Sequence, residues 1–220
     1  MGHNLTSTAW IAALLLAAAS SISPGRLACQ VTPITPQEPP TLGELFRVDP
    51  ATGAPTPLEH VQIKKLVGPI QRGGSQTVEF YIEGEASPVW FKAGEPQQFV
   101  IRLMSPGDRY DKELNEVEVQ RHIRLMRLLV QKGKEHDERF LTNAILPLNV
   151  QSYGPLTPGL DPKKPDRVAQ SFRLTPQSAL PPGEYHIWID GMHDLELNTS
   201  ARFLPNTVNG EHWAFEIANR

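Results

Sequence analysis

Hydrophobic and polar residues alternate along several short stretches of this chain, most clearly over Ala169–Asp190. In the second half of this stretch, Tyr185, Ile187 and Ile189 form one set of alternate positions. His186, Trp188 and Asp190 form the other. A period of two is typical of a β-strand covered on one face. Pro181-Pro182-Gly183 precedes this strand and is typical of a tight turn. The stretch therefore predicts a strand–turn–strand hairpin, with the His186 face of the second strand open to solvent.

A second block of strands is predicted between Gln76 and Met104. Its apolar residues also follow a period of two: Val78, Phe80 and Ile82, then Phe99, Ile101 and Leu103. Val89-Trp90-Phe91 lies between these runs and is separated from each by a turn containing Gly and Pro. Strands about ten residues apart, joined by such turns, are typical of an antiparallel β-sandwich. The 21 prolines of the chain agree, because proline interrupts helices and central strands.

The segment around residues 107–135 carries two patterns at once. Val119, Ile123 and Met126 have helical spacing, whereas Ile123–Val130 also has the composition of a strand. We predict one short helical insertion near residues 111–121 and a strand over 123–131. Acidic residues precede basic ones here, an order that suits a helix dipole. A basic face that binds an anionic polymer or a lipid headgroup is the alternative, but acids surround the bases and no aromatic residues interleave with them.

An apolar run from Ala9 to Ala19 lies close to the N-terminus. It is short for a membrane span but suits the hydrophobic region of a signal peptide, so residues 1–29 are predicted to be an export signal. The residues before this run contain no Lys or Arg, which departs from the usual signal pattern. We expect an exported protein that is periplasmic, secreted or at the cell surface.

Cys29 is the only cysteine of the chain and follows directly after Ala28. An Ala-Cys pair at this place resembles a bacterial lipobox, and a lipid on Cys29 would anchor the protein to a membrane. Arg26 stands where a lipobox has an aliphatic residue, so ordinary cleavage without lipidation stays open. In either case the folded domain contains no cysteine and no internal disulfide.

The remainder of the chain is predicted to form a tether and one domain. Residues 30–43 are rich in Thr, Pro and Gln and are expected to be extended. Residues 44–220 are predicted to form a single β-sandwich that begins with a hairpin over 44–64, in which Leu45–Val48 pairs with Leu58–Ile63. A long Pro/Gly loop is expected over 152–166. The net charge of −3 gives no indication of a nucleic-acid partner.

The densest group of metal-ligand residue types lies in the segment His186–Glu196. On an extended strand, the side chains of His186 and Asp190 begin about 13–14 Å apart, which is too far to share one ion. His193 and Asp194 follow a glycine at which the chain can turn back, and they remain the candidate metal ligands. No residue pattern indicates a catalytic nucleophile, so no catalytic residue is assigned and no cofactor is expected.

Trp90 and Trp188 are candidate binding residues for a sugar-binding face. Aromatic residues in sandwich strands more often fill the core, so both interpretations are kept. His212, in the last predicted strand, is expected to point outward.

Several short sequence motifs resemble those of a set of uncharacterised exported bacterial proteins. The motifs are Ser87-Pro-Val-Trp-Phe-Lys-Ala-Gly-Glu-Pro96, Leu174-Thr-Pro176 and Leu180-Pro-Pro-Gly-Glu-Tyr185. Those proteins also carry an Asp-Pro-Ala-Thr-Gly hairpin and end in a Trp-x-Phe-x-Ile strand, and the likeness covers most of residues 44–218. The resemblance implies an immunoglobulin-like β-sandwich and supplies no catalytic residues to carry over.

We therefore expect a mainly β protein, an antiparallel immunoglobulin-like sandwich with one short helical insertion. Its expected function is that of a non-enzymatic binding, structural or assembly module of the bacterial cell envelope, with an unknown protein or envelope component as partner. A membrane is expected as partner only if Cys29 is lipidated. The alternatives are a metal-dependent extracytoplasmic enzyme that uses the His186–Glu196 region, and a carbohydrate-binding module that uses exposed tryptophans.

Overall fold

The computed structural model describes most of the chain from residue 35 onward. The described residues are 35–70, 72, 74, 76–84, 86–104, 114–131, 138–160, 165, 167–190, 192–193, 196–197 and 210–219. They belong to one compact unit, which spans 34–220. The predicted signal peptide and Cys29 lie outside the described residues. Among the described residues, no helix combines the length and apolar character needed to cross a membrane.

The fold is mainly β, with antiparallel sheets and one short helix, as predicted. The first eight strands are β1 (Leu45–Val48), β2 (Pro55–Pro57), β3 (Glu59–His60), β4 (Lys64–Ile70), β5 (Gln76–Glu83), β6 (Trp90–Lys92), β7 (Phe99–Met104) and, after helix α1 (Glu116–His122), β8 (Ile123–Gln131). The others are β9 (Glu138–Leu146), β10 (Leu148–Pro158), β11 (Val168–Pro176), β12 (Gly183–Asp190), β13 (Met192–His193), β14 (Glu196–Leu197) and β15 (Gly210–Ala218).

The strands form two sheets. The first has the order β10-β11-β7-β1-β2, with β14 beside β7 and β13 beside β14. The second has the order β3-β15-β12-β8-β9-β5-β4, with β6 also beside β15. The main core lies between the sheets and contains two of the three apolar sets that the alternation predicted. Its members include Phe99, Ile101, Leu103, Phe172, Leu174, Tyr185, Ile187, Ile189, Trp213 and Phe215. The third set, Val78, Phe80 and Ile82, lies outside it, and only Ile82 of that set is buried, in a separate cluster.

The hairpin predicted over residues 169–190 is wrong, although both of its strands exist. β11 pairs with β10 and β7 in the first sheet, whereas β12 pairs with β15 and β8 in the second. The connection between them therefore crosses from one sheet to the other. Leu180 is buried within it, and the Tyr185 hydroxyl donates a hydrogen bond to the Pro181 carbonyl at 2.6 Å. Because both strands direct large apolar side chains at one core, they lie opposite each other rather than side by side.

The second sheet curls, and the curl buries the face of β12 that was predicted to be open to solvent. The register of β8 with β9 shifts between Met126 and Leu128. Such a shift increases the local bend of a sheet. A second apolar cluster then forms on the side away from the main core; it contains Val61, Ile82, Leu128 and Ala214. His186 and His212 are 0% and 5% exposed, so the outward direction predicted for both is wrong.

The N-terminal hairpin has the predicted turn but a different second strand. Asp49 accepts hydrogen bonds from the backbone N–H groups of Ala51 and Thr52, at 2.9 and 2.8 Å, as expected of an Asp-initiated turn. β1 pairs with β2 at 55–57 rather than with 58–63. The two prolines of β2 are tolerated because β2 is an edge strand.

Residues 35–43 lie against the first sheet, in contrast to the extended tether predicted for 30–43. The Tyr153 hydroxyl donates to the Gln37 carbonyl at 3.1 Å, and Arg102 lies 3.5 Å from the Glu38 carboxylate. The backbone N–H of Gly43 donates to the Arg102 carbonyl at 2.8 Å. This part of the segment is therefore packed on the domain.

One short helix followed by a strand is confirmed, but the helix begins at Glu116 rather than near residue 111, and residues 111–113 lie outside the described residues. Asn115 caps α1 by accepting a hydrogen bond from the Glu118 N–H at 3.0 Å, and Val119 is its buried apolar contact with the core. The loop predicted over 152–166 is wrong in its first half, because β10 continues to Pro158 and pairs with β11 across a bulge.

Candidate functional site

The two predicted metal ligands are not brought into a site that can be described. His193 lies in the two-residue strand β13, and Asp194 lies outside the described residues. Within the described part of the chain, no group of three or more His, Cys, Asp or Glu side chains could hold a metal ion. The metal site at His193 and Asp194 therefore stays a prediction.

The two candidate tryptophans do not share a surface. Trp90 is 37% exposed, whereas Trp188 is 4% exposed and stacks on His212 with ring centroids 5.7 Å apart. Trp90 of β6 is paired with Glu216 of β15, and Glu216 is paired with Glu184 of β12. Glu184 lies four residues before Trp188 in β12. Four residues along a strand correspond to about 13 Å. The expected exposure of Trp188 is wrong, so a sugar-binding face built from both residues is not present.

The polar residues of β12 instead form a closed cluster inside the curl of the second sheet. We call Glu184, His186, His212 and Arg139 the buried polar layer. His186 Nε2 lies 2.9 Å from His212 Nδ1, and the two rings stack with centroids 5.1 Å apart. One of these nitrogens must donate and the other must accept. His186 Nδ1 has no hydrogen-bond partner among the described residues.

The lack of a partner for His186 Nδ1 among the described residues indicates which ring nitrogen of each histidine carries the proton. If His212 donated, His186 would carry its proton on Nδ1 and leave a buried N–H without an acceptor, which is the costlier arrangement. We therefore assign the proton to His186 Nε2, which donates to His212 Nδ1. Burial also lowers the pKa of His186 well below its ordinary value of 6.5, and the neighbouring His212 and Arg139 act in the same direction. Both observations favour a neutral His186.

Arg139 supplies the positive charge of the layer. Its side chain is 1% exposed, and its guanidinium donates to both carboxylate oxygens of Glu59 at 3.2 and 3.3 Å and to the Glu83 carbonyl at 3.1 Å. It also lies 3.6 Å from the Glu184 carboxylate. Such pairing is what a buried charge requires, because an unpaired one is strongly destabilising.

Glu184 is the titratable acid of the layer. Its carboxylate accepts from the backbone N–H of Ser87 at 3.3 and 3.4 Å. Burial raises its pKa from 4.5 to about 7, while the Ser87 N–H and the Arg139 guanidinium act in the opposite direction but do not cancel the effect of burial. Glu184 can therefore change charge near neutral pH inside the folded protein.

Two segments from elsewhere in the chain close the layer. The Ser87 hydroxyl donates to the Ala214 carbonyl at 3.2 Å, and the Val61 N–H donates to the His212 carbonyl at 2.9 Å. A substrate could reach the imidazoles only if these segments moved. All four side chains of the layer are therefore buried in the folded protein, and each makes at least one polar contact within it.

A groove between α1, β8 and the start of β10 is too small for a typical ligand site. Its volume is about 170 Å³, and it is lined by Gln120, Ile123, Arg124, Ile145, Leu146, Pro147, Leu148 and Val150. Small-molecule sites generally occupy about 300–1,000 Å³.

Among the described residues, one group of exposed apolar side chains lies on the hairpin of β4 and β5. Leu66, Val67, Ile70 and Val78 are 47, 48, 72 and 37% exposed, and we call these four residues the apolar hairpin. Alternation does not predict this hairpin as a surface, because apolar and polar residues do not alternate in Lys64-Lys65-Leu66-Val67. That missing alternation is itself the available signal, since adjacent Leu66 and Val67 place apolar side chains on both faces of one strand.

The apolar hairpin also lies at the sheet edge that other elements leave open. The long edge strand β10 is covered by α1: Glu116 accepts from the Ser152 N–H at 2.8 Å, and the Gln120 amide donates to the Leu148 carbonyl at 3.0 Å. The edge strands β2, β3 and β6 have only two or three residues each. β4 is therefore the longest edge strand without a covering element among the described residues.

Comparisons with protein-family models, with curated proteins and with solved structures give no match for this chain. Its function has to be argued from its own residues.

Proposed function

We propose that this protein is an exported, non-enzymatic module with an immunoglobulin-like β-sandwich, and that it binds a component of the bacterial cell envelope through the apolar hairpin. Strand order supports the immunoglobulin-like arrangement. In the first sheet, β1, β7, β11 and β10 occupy the positions of strands A, B, E and D, and in the second sheet β8, β12 and β15 occupy those of C, F and G.

A local contact supports the same arrangement. In immunoglobulin domains, a tyrosine near the start of strand F donates its hydroxyl to a backbone group a few residues upstream, at the corner between strands E and F. Tyr185 lies near the start of β12, and its hydroxyl donates to the Pro181 carbonyl. β4, β5 and β9 extend the second sheet beyond this seven-strand core.

The observation that carries the binding proposal is the exposure of the four apolar side chains on one hairpin. Single exposed apolar residues are ordinary, but a concentration of them on one element of a soluble domain typically marks an interaction surface. Val67 lies directly opposite Val78, so these two side chains adjoin on one face. Export is supported by the apolar run Ala9–Ala19.

Fractionation of cells that produce the full chain tests the proposal. The wild-type protein should be outside the cytoplasm and should sediment with the envelope. The double variant V67D/I70D should be released into the soluble extracytoplasmic fraction, whereas L156D/L160D should stay with the envelope. Leu156 and Leu160 are 64% and 41% exposed at the end of β10, so they match the apolar hairpin in character but not in position.

Both double variants are made in a C29S background as well, so that a lipid on Cys29 does not hold the protein on the envelope. Cytoplasmic wild-type protein would overturn the export part of the proposal. Equal release of the two double variants, or release of neither, would overturn the assignment of the binding surface.

A further inference from the structure

We propose that the envelope component bound by the apolar hairpin is the surface of an anionic lipid bilayer. This inference rests on the proposed function and names the partner class. Three features of the hairpin carry it: the distribution of apolar side chains over both faces, the interrupted edge of β4, and the basic residues beside the apolar ones.

The apolar side chains lie on both faces of the hairpin. Val67 and Val78 are opposite each other and share one face, while Leu66 lies opposite Glu79 on the other. A groove on a protein partner would cover one face of a two-stranded ribbon and leave the other in water. A bilayer surrounds an inserted hairpin on all sides, so it can bury Leu66 and Val67 together.

A partner protein can also bind a sheet edge by adding a strand to it, but the backbone of β4 is poorly suited to this. Its register with β5 shifts between Val67 and Ile70, and Pro69 lies within the shift and has no N–H to donate. Lysines, prolines and bulges at an edge are the features that prevent strand addition. Contact with a partner must therefore come mainly from the side chains.

The charge of the hairpin favours an anionic surface. Lys65 and Arg72 are exposed beside the apolar residues, and Lys64 is paired with Glu83. The hairpin carries three basic residues, Lys64, Lys65 and Arg72, against two acidic ones, Glu79 and Glu83, on a chain whose overall charge is −3. Basic residues next to an apolar anchor strengthen binding to anionic lipids. Glu79 opposes this attraction, and its neutralisation should strengthen binding.

Vesicle sedimentation of the purified exported protein, with Cys29→Ser in every variant, tests the inference. The probes are vesicles of phosphatidylglycerol mixed with phosphatidylethanolamine, and vesicles of phosphatidylcholine alone. We expect binding to the first, at least tenfold weaker binding to the second, at least tenfold loss in V67D/I70D, and less than twofold change in L156D/L160D. E79Q should bind the anionic vesicles more tightly than wild type.

A tryptophan reporter keeps the test decisive if the aspartates disturb β4. Ile70→Trp adds no charge, and its emission should shift to the blue when anionic vesicles are added, whereas that of Leu156→Trp should not. Absence of wild-type binding, an unshifted Ile70→Trp, or equal binding to both lipid mixtures would overturn the inference. Envelope association in cells that persists without vesicle binding would reject the lipid as partner and leave the proposed function standing.

Discussion

Replacing Glu184 with Gln is expected to change how the stability of this protein depends on pH. Glu184 is 5% exposed, and burial raises its pKa from 4.5 to about 7 in the folded state. Between these two values the folded protein binds more protons at this position than the unfolded chain does. The stabilisation from protonated Glu184 is therefore fully present below about pH 4.5 and is lost as the pH rises through about 7.

The size of this change in the free energy of unfolding follows from the shift in the pKa of Glu184. Each unit of pKa corresponds to about 1.4 kcal/mol, so wild type should lose about 2 to 3 kcal/mol relative to E184Q between pH 5 and pH 8. Gln keeps the shape of the neutral acid and cannot ionise. Taking the difference between the two proteins cancels the contribution of His186, whose lowered pKa acts with the opposite sign and destabilises the fold as the pH falls through about 6.5.

Urea unfolding at pH 5 and pH 8, followed by tryptophan emission, measures this difference, because Trp188 and Trp213 are buried. Tyr185→Phe is the control: it removes the hydrogen bond to Pro181 and should cost about 1 kcal/mol equally at both pH values. A difference between wild type and E184Q that stays constant would refute the raised pKa. A difference that grows in favour of wild type at pH 8 would mean that the charge pair with Arg139 outweighs burial.

Three further expectations concern the fold. Gly210 has φ +127° and a Cβ there would lie 2.1 Å from the Ile189 carbonyl oxygen, so Gly210→Ala should destabilise by about 3 kcal/mol or more in urea unfolding. Gly94→Ala, with φ +83° and open space around it, should cost only about 1 kcal/mol, and equal costs would contradict this account. Asn115→Ala should cost about 1 kcal/mol through loss of the helix cap, and an unchanged urea midpoint would exclude that role. In an NMR titration, the imidazole signals of His186 should keep the pattern of a neutral ring between pH 7 and pH 5.5, apart from a small displacement caused by the titration of Glu184. The full displacement of ring protonation with a midpoint near 6.5 would show that the ring is accessible to protons.

Period-two alternation was sufficient to predict the strands of the main core but not how they are joined. The phrase Leu180–Tyr185 has the residues of a tight turn, and a turn of the same composition can connect neighbours in one sheet or strands in two sheets. The choice depends on which partner strands are available, and those are β7, β8, β10 and β15 at distant places in the chain. Local sequence carries no information on that choice.

The burial of His186 could not be predicted from the sequence, for a related reason. Alternation shows that the two faces of β12 differ in polarity, and a polar face is ordinarily exposed. Here the face is covered by Val61 and Ser87, which lie about a hundred or more residues earlier in the chain, and by the curl of β8 and β9. The exposed Leu66 and Val67 were not predicted because apolar and polar residues do not alternate along their strand.

The position of β15 constrains when the protein can fold during its synthesis. This strand contains residues 210–218, yet it pairs with β3 and β6 from the first half of the chain as well as with β12. A nascent chain that has reached residue 209 therefore lacks a strand that contacts three others, and its second sheet cannot close. Folding of the second sheet is thus completed only once residues 210–218 have been synthesised, however early its other strands are made.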